Sequence, residues 1–257
     1  MKFSIPDLTG KVVFVTGGTA GIGKETLLAL ARHNPAQLYF TGRNTQAATK
    51  LVMELNEISP SVNVGFLKCD LADHESIVNA VRTDFASDRL DILIANAGVC
   101  AVPPARTRDG HEVQFGTNHF GHSVLFKLLL PTMLRTTELP GADVRLVFLA
   151  SSLYSQAPRG GYCTWTRYAQ SKLANILYAA EVARRYPKIT AVSLHPGIVG
   201  TGLVNDLGLF SKAMQRRRWR TSDPGHITSR LGRKLSSIPP LETGTWPRDS
   251  GTGQRSS

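Results

Sequence analysis

Short apolar runs alternate with longer amphipathic stretches from residue 11 to about residue 200. Six runs read as strands: 12–16, 37–41, 62–67, 92–95, 144–149 and 190–194. Each is apolar on both faces, as in parallel strands covered by helices on either side. Helical periodicity lies between them, near 22–33, 45–58, 73–86, 111–135 and 168–186, with Asp73 placed to cap the third helix. This order predicts an α/β fold: a doubly wound, Rossmann-type parallel sheet with helices on both faces. Ligands of such sheets lie in the crevice at the carboxyl ends of the strands. Candidate chemistry is therefore sought just after Val15, Phe40, Leu67, Ile94, Leu149 and Leu194.

The pattern stops after about Leu207. Beyond it come Pro224, Pro239, Pro240 and Pro247 among many Ser, Thr, Gly and Arg residues, with no apolar run of strand length. That composition predicts loose or disordered chain. The chain thus divides into a Rossmann-type part, 1–207, and an atypical basic tail, 208–257.

Charge sharpens the division. The 257 residues carry Lys+Arg 30 against Asp+Glu 19, a formal net charge of +11. Residues 215–257 hold nine of the basic residues and three of the acids, so the tail contributes +6 and the first 214 residues +5. A basic tail invites a nucleic-acid reading. Apart from Trp219 and Trp246 it lacks interleaved aromatics and carries no recognised motif, so no nucleic-acid partner is expected. Cys69, Cys100 and Cys163 are scattered, with no C-x-x-C, which suits a reducing compartment and excludes a zinc ribbon. No metal site is expected. No apolar run approaches the ~20 residues of a membrane span, and the first residues lack the apolar core of a secretory leader. A cytoplasmic location follows as the expectation.

The first strand leads into Thr16-Gly17-Gly18-Thr19-Ala20-Gly21-Ile22-Gly23. Glycines at 17, 21 and 23 let backbone N–H groups approach a pyrophosphate, and the following helix points its positive end at that anion. A tight strand-to-helix turn is the plainer alternative. After the second strand stands Arg43, where an acid would favour NAD by bonding the ribose 2′-OH. A guanidinium suits a 2′-phosphate, so NADP is favoured. Asp70 follows the third strand and is placed to accept from an adenine amino group. Asn96-Ala97-Gly98 follows the fourth, with residues small enough for close approach. Both are equally readable as turn residues. Ser151-Ser152 follows the fifth strand. Tyr168 and Lys172 lie four apart on the next helix, one face carrying phenol and ammonium together. A cation beside a phenol lowers its pKa from about 10, making Tyr168 a usable acid or base.

Together these segments resemble the short-chain dehydrogenase/reductase family. The matches are TGGTAGIG at 16–23, NAG at 96–98, TNHFGH with Asn118, SS at 151–152, YAQSK at 168–172 and HPG at 195–197. NHFGH, SKLANILYA and the long insert before Tyr168 are most similar to the retinol-dehydrogenase-like and WW-domain-oxidoreductase-like branch, whose fungal members include secondary-metabolism reductases. The resemblance implies that Tyr168 is the catalytic acid/base and that Lys172 lowers its pKa and holds the nicotinamide ribose. It implies that Ser152, rather than Ser151, bonds the substrate oxygen. Asn118 is implied to kink its helix and hold a water in a proton relay. Gly17, Gly21, Ile22, Gly23, Arg43, Asp70, Asn96, Val199 and Thr201 are implied to line the cofactor groove, with Lys127 a weaker candidate.

The implied activity is hydride transfer between NADP(H) and a lipophilic alcohol, ketone or aldehyde, in a protein that a homodimer would suit. The alternative is an inactive dinucleotide-binding relic. Relatives continue past the segment at 201–203 with substrate-pocket helices and a seventh strand, which the Arg-rich tail does not supply. The expectation is cofactor binding with weak or no turnover and poor solubility.

Overall fold

In a computed structural model of the chain, residues 4–157 and 163–197 are described. They build one parallel sheet of six strands in the order β3-β2-β1-β4-β5-β6. The strands are β1 (Val12–Val15), β2 (Gln37–Gly42), β3 (Asn63–Lys68), β4 (Ile92–Ala95), β5 (Val144–Leu149) and β6 (Ile189–Leu194). The helices between them are α1 (Gly21–Ala31), α2 (Thr45–Ile58), α3 (His74–Asp84), the short α4 (Val113–Phe115), α5 (Gly121–Thr137) and α6 (Thr164–Arg185). Each observed strand coincides with a predicted run to within a residue at either end. The strand order reverses between β1 and β4, which is where such sheets open a binding crevice.

The reason for this layering is visible in β1. Val12 and Phe14 pack into one core with Leu67, Leu93, Leu125, Met133, Leu146 and Phe148. Val13 and Val15, one residue out of phase, pack into a second core with Leu27, Leu38, Phe40, Leu51 and Leu55. A strand with four buried apolar residues in a row must have a helical layer on each side, because successive side chains point to opposite faces. Helices α1 and α2 cover one face, and α3, α5 and α6 cover the other. Burial at about 25 cal/mol per Å² of apolar surface is the main force closing both layers.

Local signals set the helix starts. Asp73 caps α3 by accepting from the backbone N–H of Glu75 at 3.0 Å and Ser76 at 3.2 Å. Asn44 caps α2 through Ala47 N–H at 3.0 Å. Each cap contributes about 1 kcal/mol. By contrast, α1 begins with Ala20 at its cap position, makes no side-chain cap and has no acid in its first turn.

The helix predicted near 111–135 is interrupted. Residues Gly116–Phe120 form a π-helical turn between α4 and α5. Such turns leave the ordinary main-chain hydrogen-bond ladder, and they recur at functional sites. Asn118 lies in this one and is fully buried.

The tail expected to lack a seventh strand and the boundary near 207 fall outside the described residues. Among those described, no helix is long and apolar enough to cross a membrane. No group of three or more His, Cys, Asp or Glu side chains among them is placed to hold a metal.

Candidate active site

The strand tips open on a crevice of about 380 Å³. Gly17, Thr19, Ala20, Gly21 and Ile22 line one end, and Tyr168, Lys172 and Leu149 line another. Arg43, Asp70, Asn96 and Gly98 lie along its walls.

The glycine-rich turn is pinned from both neighbouring strands. Thr41 at the end of β2 accepts from Gly17 N–H through its hydroxyl at 3.3 Å and from Gly18 N–H through its carbonyl at 2.9 Å. Asn96 at the end of β4 donates its amide to the Thr16 carbonyl at 2.8 Å. Gly17 has φ +67°, a left-handed conformation that side chains resist, and a Cβ there would come within 2.9 Å of the Ala97 Cβ. A Cβ on Gly23 would run into the Gly17 carbonyl and sit 2.6 Å from Asn96 Nδ2. Gly23 itself does not line the crevice. It is buried behind the turn and lets α1 pack against it. The uncapped N-terminus of α1 adds its partial positive charge at this end. The cradle, the bare helix end and exposed Arg43 fit a dinucleotide phosphate group.

Thr16 ties the turn to the rest of the site, a role the sequence reading missed. Its hydroxyl oxygen accepts from the N–H groups of Asn96 and Ala97, each at 2.9 Å. With both lone pairs used, its proton goes to His122 Nε2 at 2.7 Å. His122 Nδ1 then donates to the main-chain carbonyl of Asn118 at 2.9 Å. Burial pushes the His122 pKa down to about 3, so the ring is neutral. The sequence signal was the second histidine of NHFGH, but its partner lies 106 positions away.

The Asn118 side chain is fully engaged. Its Oδ1 accepts from Val99 N–H at 2.8 Å. Its Nδ2 donates to the Val99 carbonyl at 2.9 Å and to Ser171 Oγ at 3.0 Å. It clamps the segment after β4 to α6.

Tyr168 and Lys172 share one face of α6, as their spacing predicted, and both are buried. The ammonium lies 5.6 Å from the centre of the Tyr168 ring and donates to the Leu149 carbonyl at 2.9 Å. Their pKa values correct the simple expectation of a lowered phenol. Burial pushes the Tyr168 phenol well above its usual value, and the nearby Cys100 thiol adds to the rise. Burial pushes Lys172 down to about 8. Desolvation disfavours both charged forms and is the largest cause of each shift.

Three expectations change on the structure. Ser151, rather than Ser152, is the serine whose hydroxyl acts on the Tyr168 phenol, opposing the rise in its pKa. Ser151 also accepts from Leu153 N–H at 3.3 Å, which turns it inward as cap of the 3₁₀ turn Ser152–Gln156. Ser152, the first residue of that turn, is exposed. Lys127 is exposed on α5 and does not line the crevice. Nine residues past Asn118 is about two and a half helical turns, which carries it to the far side and along the axis. Asn118, expected to hold a water in a proton relay, has its side chain bonded to Val99 and Ser171, and its carbonyl accepts from His122 and Asn175. Val199 and Thr201 lie outside the described residues, whereas Pro196, just before them, lines the crevice.

Comparison with known proteins identifies the family of the chain. The sequence profile described as short chain dehydrogenase matches residues 11–210. An uncharacterized oxidoreductase of Schizosaccharomyces pombe is 43% identical over 216 residues, covering 77% of this chain and 63% of its own. Mouse retinol dehydrogenase 12 is 36% identical over 200 residues, covering 75% and 62% respectively. The chain therefore spans somewhat under two thirds of the length of these two relatives. A crystal structure of an uncharacterized protein from Mycobacterium paratuberculosis superposes with a TM-score of 0.63 at 30% identity, over 80% of this chain and 76% of that one. The profile covers nearly the whole described fold: the chain belongs to the short chain dehydrogenase family, in the retinol-dehydrogenase-like group of fungal type.

Proposed function

We propose that the protein is an NADP(H)-dependent oxidoreductase acting on a lipophilic alcohol, ketone or aldehyde. The observation that carries this reading is one crevice with a glycine cradle at one end and the buried Tyr168–Lys172 pair at the other. The bound nicotinamide would supply or accept the hydride. The chain's own residues would do the rest.

Gly17, Gly21 and Ile22 offer a phosphate-sized approach to the backbone, and Arg43 offers a guanidinium where the ribose 2′-phosphate would lie. No acid stands beside Arg43 to prefer a free 2′-OH. Lys172, held by the Leu149 carbonyl, points its remaining N–H groups at the crevice. Tyr168, its pKa raised by burial, is a proton donor at neutral pH. That protonation state favours carbonyl reduction, in which the phenol protonates the oxygen as negative charge builds on it. We assign the steadying of that oxygen to Ser151, whose hydroxyl acts on the phenol. A role in secondary metabolism, a cytoplasmic location and a homodimer accord with this reading.

The test combines binding and turnover. NADPH fluorescence titration should give saturable binding, with NADH weaker. Tyr168→Phe should bind NADPH normally but lose at least about a hundredfold in NADPH-dependent reduction of a lipophilic aldehyde panel. Ser151→Ala and Ser152→Ala, measured side by side, assign the serine. Near-normal turnover in Tyr168→Phe would sink the reading.

A further inference from the structure

Tyr168 and Lys172 make one stripe along α6, and Thr164, Arg167 and Ser171 make the stripe beside it. This second stripe holds the segment 99–102, which leaves β4 and forms neither helix nor strand. Ser171 Oγ accepts from Asn118 Nδ2, and the Asn118 side chain brackets Val99. The Thr164 hydroxyl and Arg167 Nη2 both donate to the Val102 carbonyl, each at 3.1 Å, and occupy its two lone pairs. Arg167 Nη1 donates to the Glu112 carboxylate, which also accepts from Phe115 N–H at 2.8 Å. Arg167 is 3% exposed, so this ion pair is shielded from solvent. Gln114, fully buried, completes the clamp. Its Oε1 accepts from Ala101 N–H at 2.9 Å and its Nε2 donates to the Thr164 carbonyl at 3.0 Å.

Asn118, Gln114, Thr164 and Arg167 thus take up main-chain groups that a strand or helix would otherwise satisfy. They also hold a strained residue. Ala101 has φ +55°, a left-handed conformation that side chains resist. Strain of this kind persists only where the surroundings fix it. The clamped segment stands at the reacting end of the crevice. Val99 lines the crevice. Cys100, half-buried between the anchors at 99 and 101, acts electrostatically on both Tyr168 and Lys172.

We propose that Gln114, Thr164 and Arg167 are positioning residues for the substrate: they fix the segment 99–102 as a wall beside the Tyr168–Lys172 pair, with Cys100 on its face. The proposal rests on the reading of that pair as the reacting groups. Thr164→Val nearly keeps the side chain's volume and removes its hydroxyl, so Val102 loses one donor and Gln114 one partner. Thr164→Ser keeps the hydroxyl. Arg167→Met is harsher, because it also leaves the Glu112 carboxylate without its cation. Loss of the clamp moves the wall off the pair and uncovers Cys100.

The experiment reads the wall through Cys100, on the full chain without cofactor. Burial pushes this thiol up to about 11, with Lys172 opposing the rise. Release would return it toward its ordinary value of 9.0, which is about a hundredfold more thiolate at neutral pH. Lower basicity takes back about tenfold in nucleophilicity, so alkylation should speed up by about tenfold. Iodoacetamide labelling is followed residue by residue through peptide masses, and buried Cys69 reports whether the fold is kept. Thr164→Val and Arg167→Met should each label Cys100 about tenfold faster with Cys69 still protected, and Thr164→Ser should match the wild type. A Cys100 rate within about twofold of the wild type in folded Thr164→Val overturns the proposal. In the wild type, Cys100 should label far more slowly than exposed Cys163, and equal rates would equally overturn it. NADPH-dependent reduction of straight-chain aldehydes reads the substrate side. Thr164→Val should raise KM by about threefold or more, restored in Thr164→Ser, with the NADPH Kd within about twofold of the wild type. A KM unchanged while Cys100 is uncovered refutes the role in substrate fit. A wild type that neither binds NADPH nor reduces any aldehyde removes the oxidoreductase reading and leaves the thiol result standing.

Discussion

Gly23→Ala puts the phosphate cradle under the sharpest test. The new Cβ would overlap the Gly17 carbonyl and lie 2.6 Å from Asn96 Nδ2, whereas ordinary contact begins at 3.4 Å. Relief of the second contact alone requires a shift of about 0.8 Å. Neither neighbour is a free side-chain end. The Gly17 carbonyl belongs to a turn pinned by Thr41, and Asn96 Nδ2 is bonded to the Thr16 carbonyl. Overpacking of this kind costs about 1–3 kcal/mol. Alanine in a helix recovers about 1 kcal/mol relative to glycine. The net loss of stability should therefore be only about 0–2 kcal/mol, and the variant should fold. Cofactor binding should suffer more. A displaced turn that forfeits one charge-assisted hydrogen bond to a phosphate loses about 1.5–3 kcal/mol, or about 10- to 150-fold in Kd. NADPH fluorescence titration reads the affinity and thermal unfolding reads the stability. Lys127→Ala serves as a control that should change neither. If Gly23→Ala is stably folded and binds NADPH within about threefold of the wild type, the close-approach argument is wrong.

Other consequences concern charge and burial. Arg43→Ala should reduce the preference for NADPH over NADH by at least about tenfold, through weaker NADPH binding, as paired titrations would show. Asp91, fully buried, accepts from Val12 N–H at 2.9 Å and from Arg89 at 2.7 and 2.8 Å, with Lys11 at 3.2 Å. Burial alone would raise its pKa, but these donors outweigh that and lower it. Its contribution to stability is present above the unfolded value near 3.9 and is lost as pH falls through the lower folded value. Asn at 91 should cost about 3 kcal/mol at neutral pH and flatten the acid limb of urea-denaturation stability. His122 is held neutral, with its folded pKa near 3 below the unfolded 6.5. Unfolded chain binds the proton first, so stability falls as pH drops between those values. His122→Phe should remove that slope while leaving Thr16 and Asn118 short of a partner, at a cost of about 2–4 kcal/mol.

Local rules made most of the fold and half of the site readable from the chain. An unbroken apolar strand such as β1 requires two helical layers wherever it lies. Asp73 caps its helix with atoms two and three residues away. Tyr168 and Lys172 meet because helical spacing alone puts them on one face. The glycines at 17, 21 and 23 follow the first strand directly, so backbone freedom and closeness to a helix end are both written locally. These features depend on neighbours within a few positions, and the sequence by itself determined them.

Tertiary structure decided what depends on distant partners or on solvent exclusion. The bonds from Thr16 to His122 and from Asn175 to Asn118 span 106 and 57 positions, and no local pattern announces them. Which of Ser151 and Ser152 faces the phenol depends on how the chain turns out of β5. Lys127 lies about two and a half helical turns from Asn118, on the opposite side of its helix, but only the packing of α5 shows that this side is exposed and off the crevice. The pKa values show the point most clearly. Spacing placed a cation beside a phenol and suggested an acidified tyrosine. Folding removed water from both groups, and desolvation then raised the one and lowered the other.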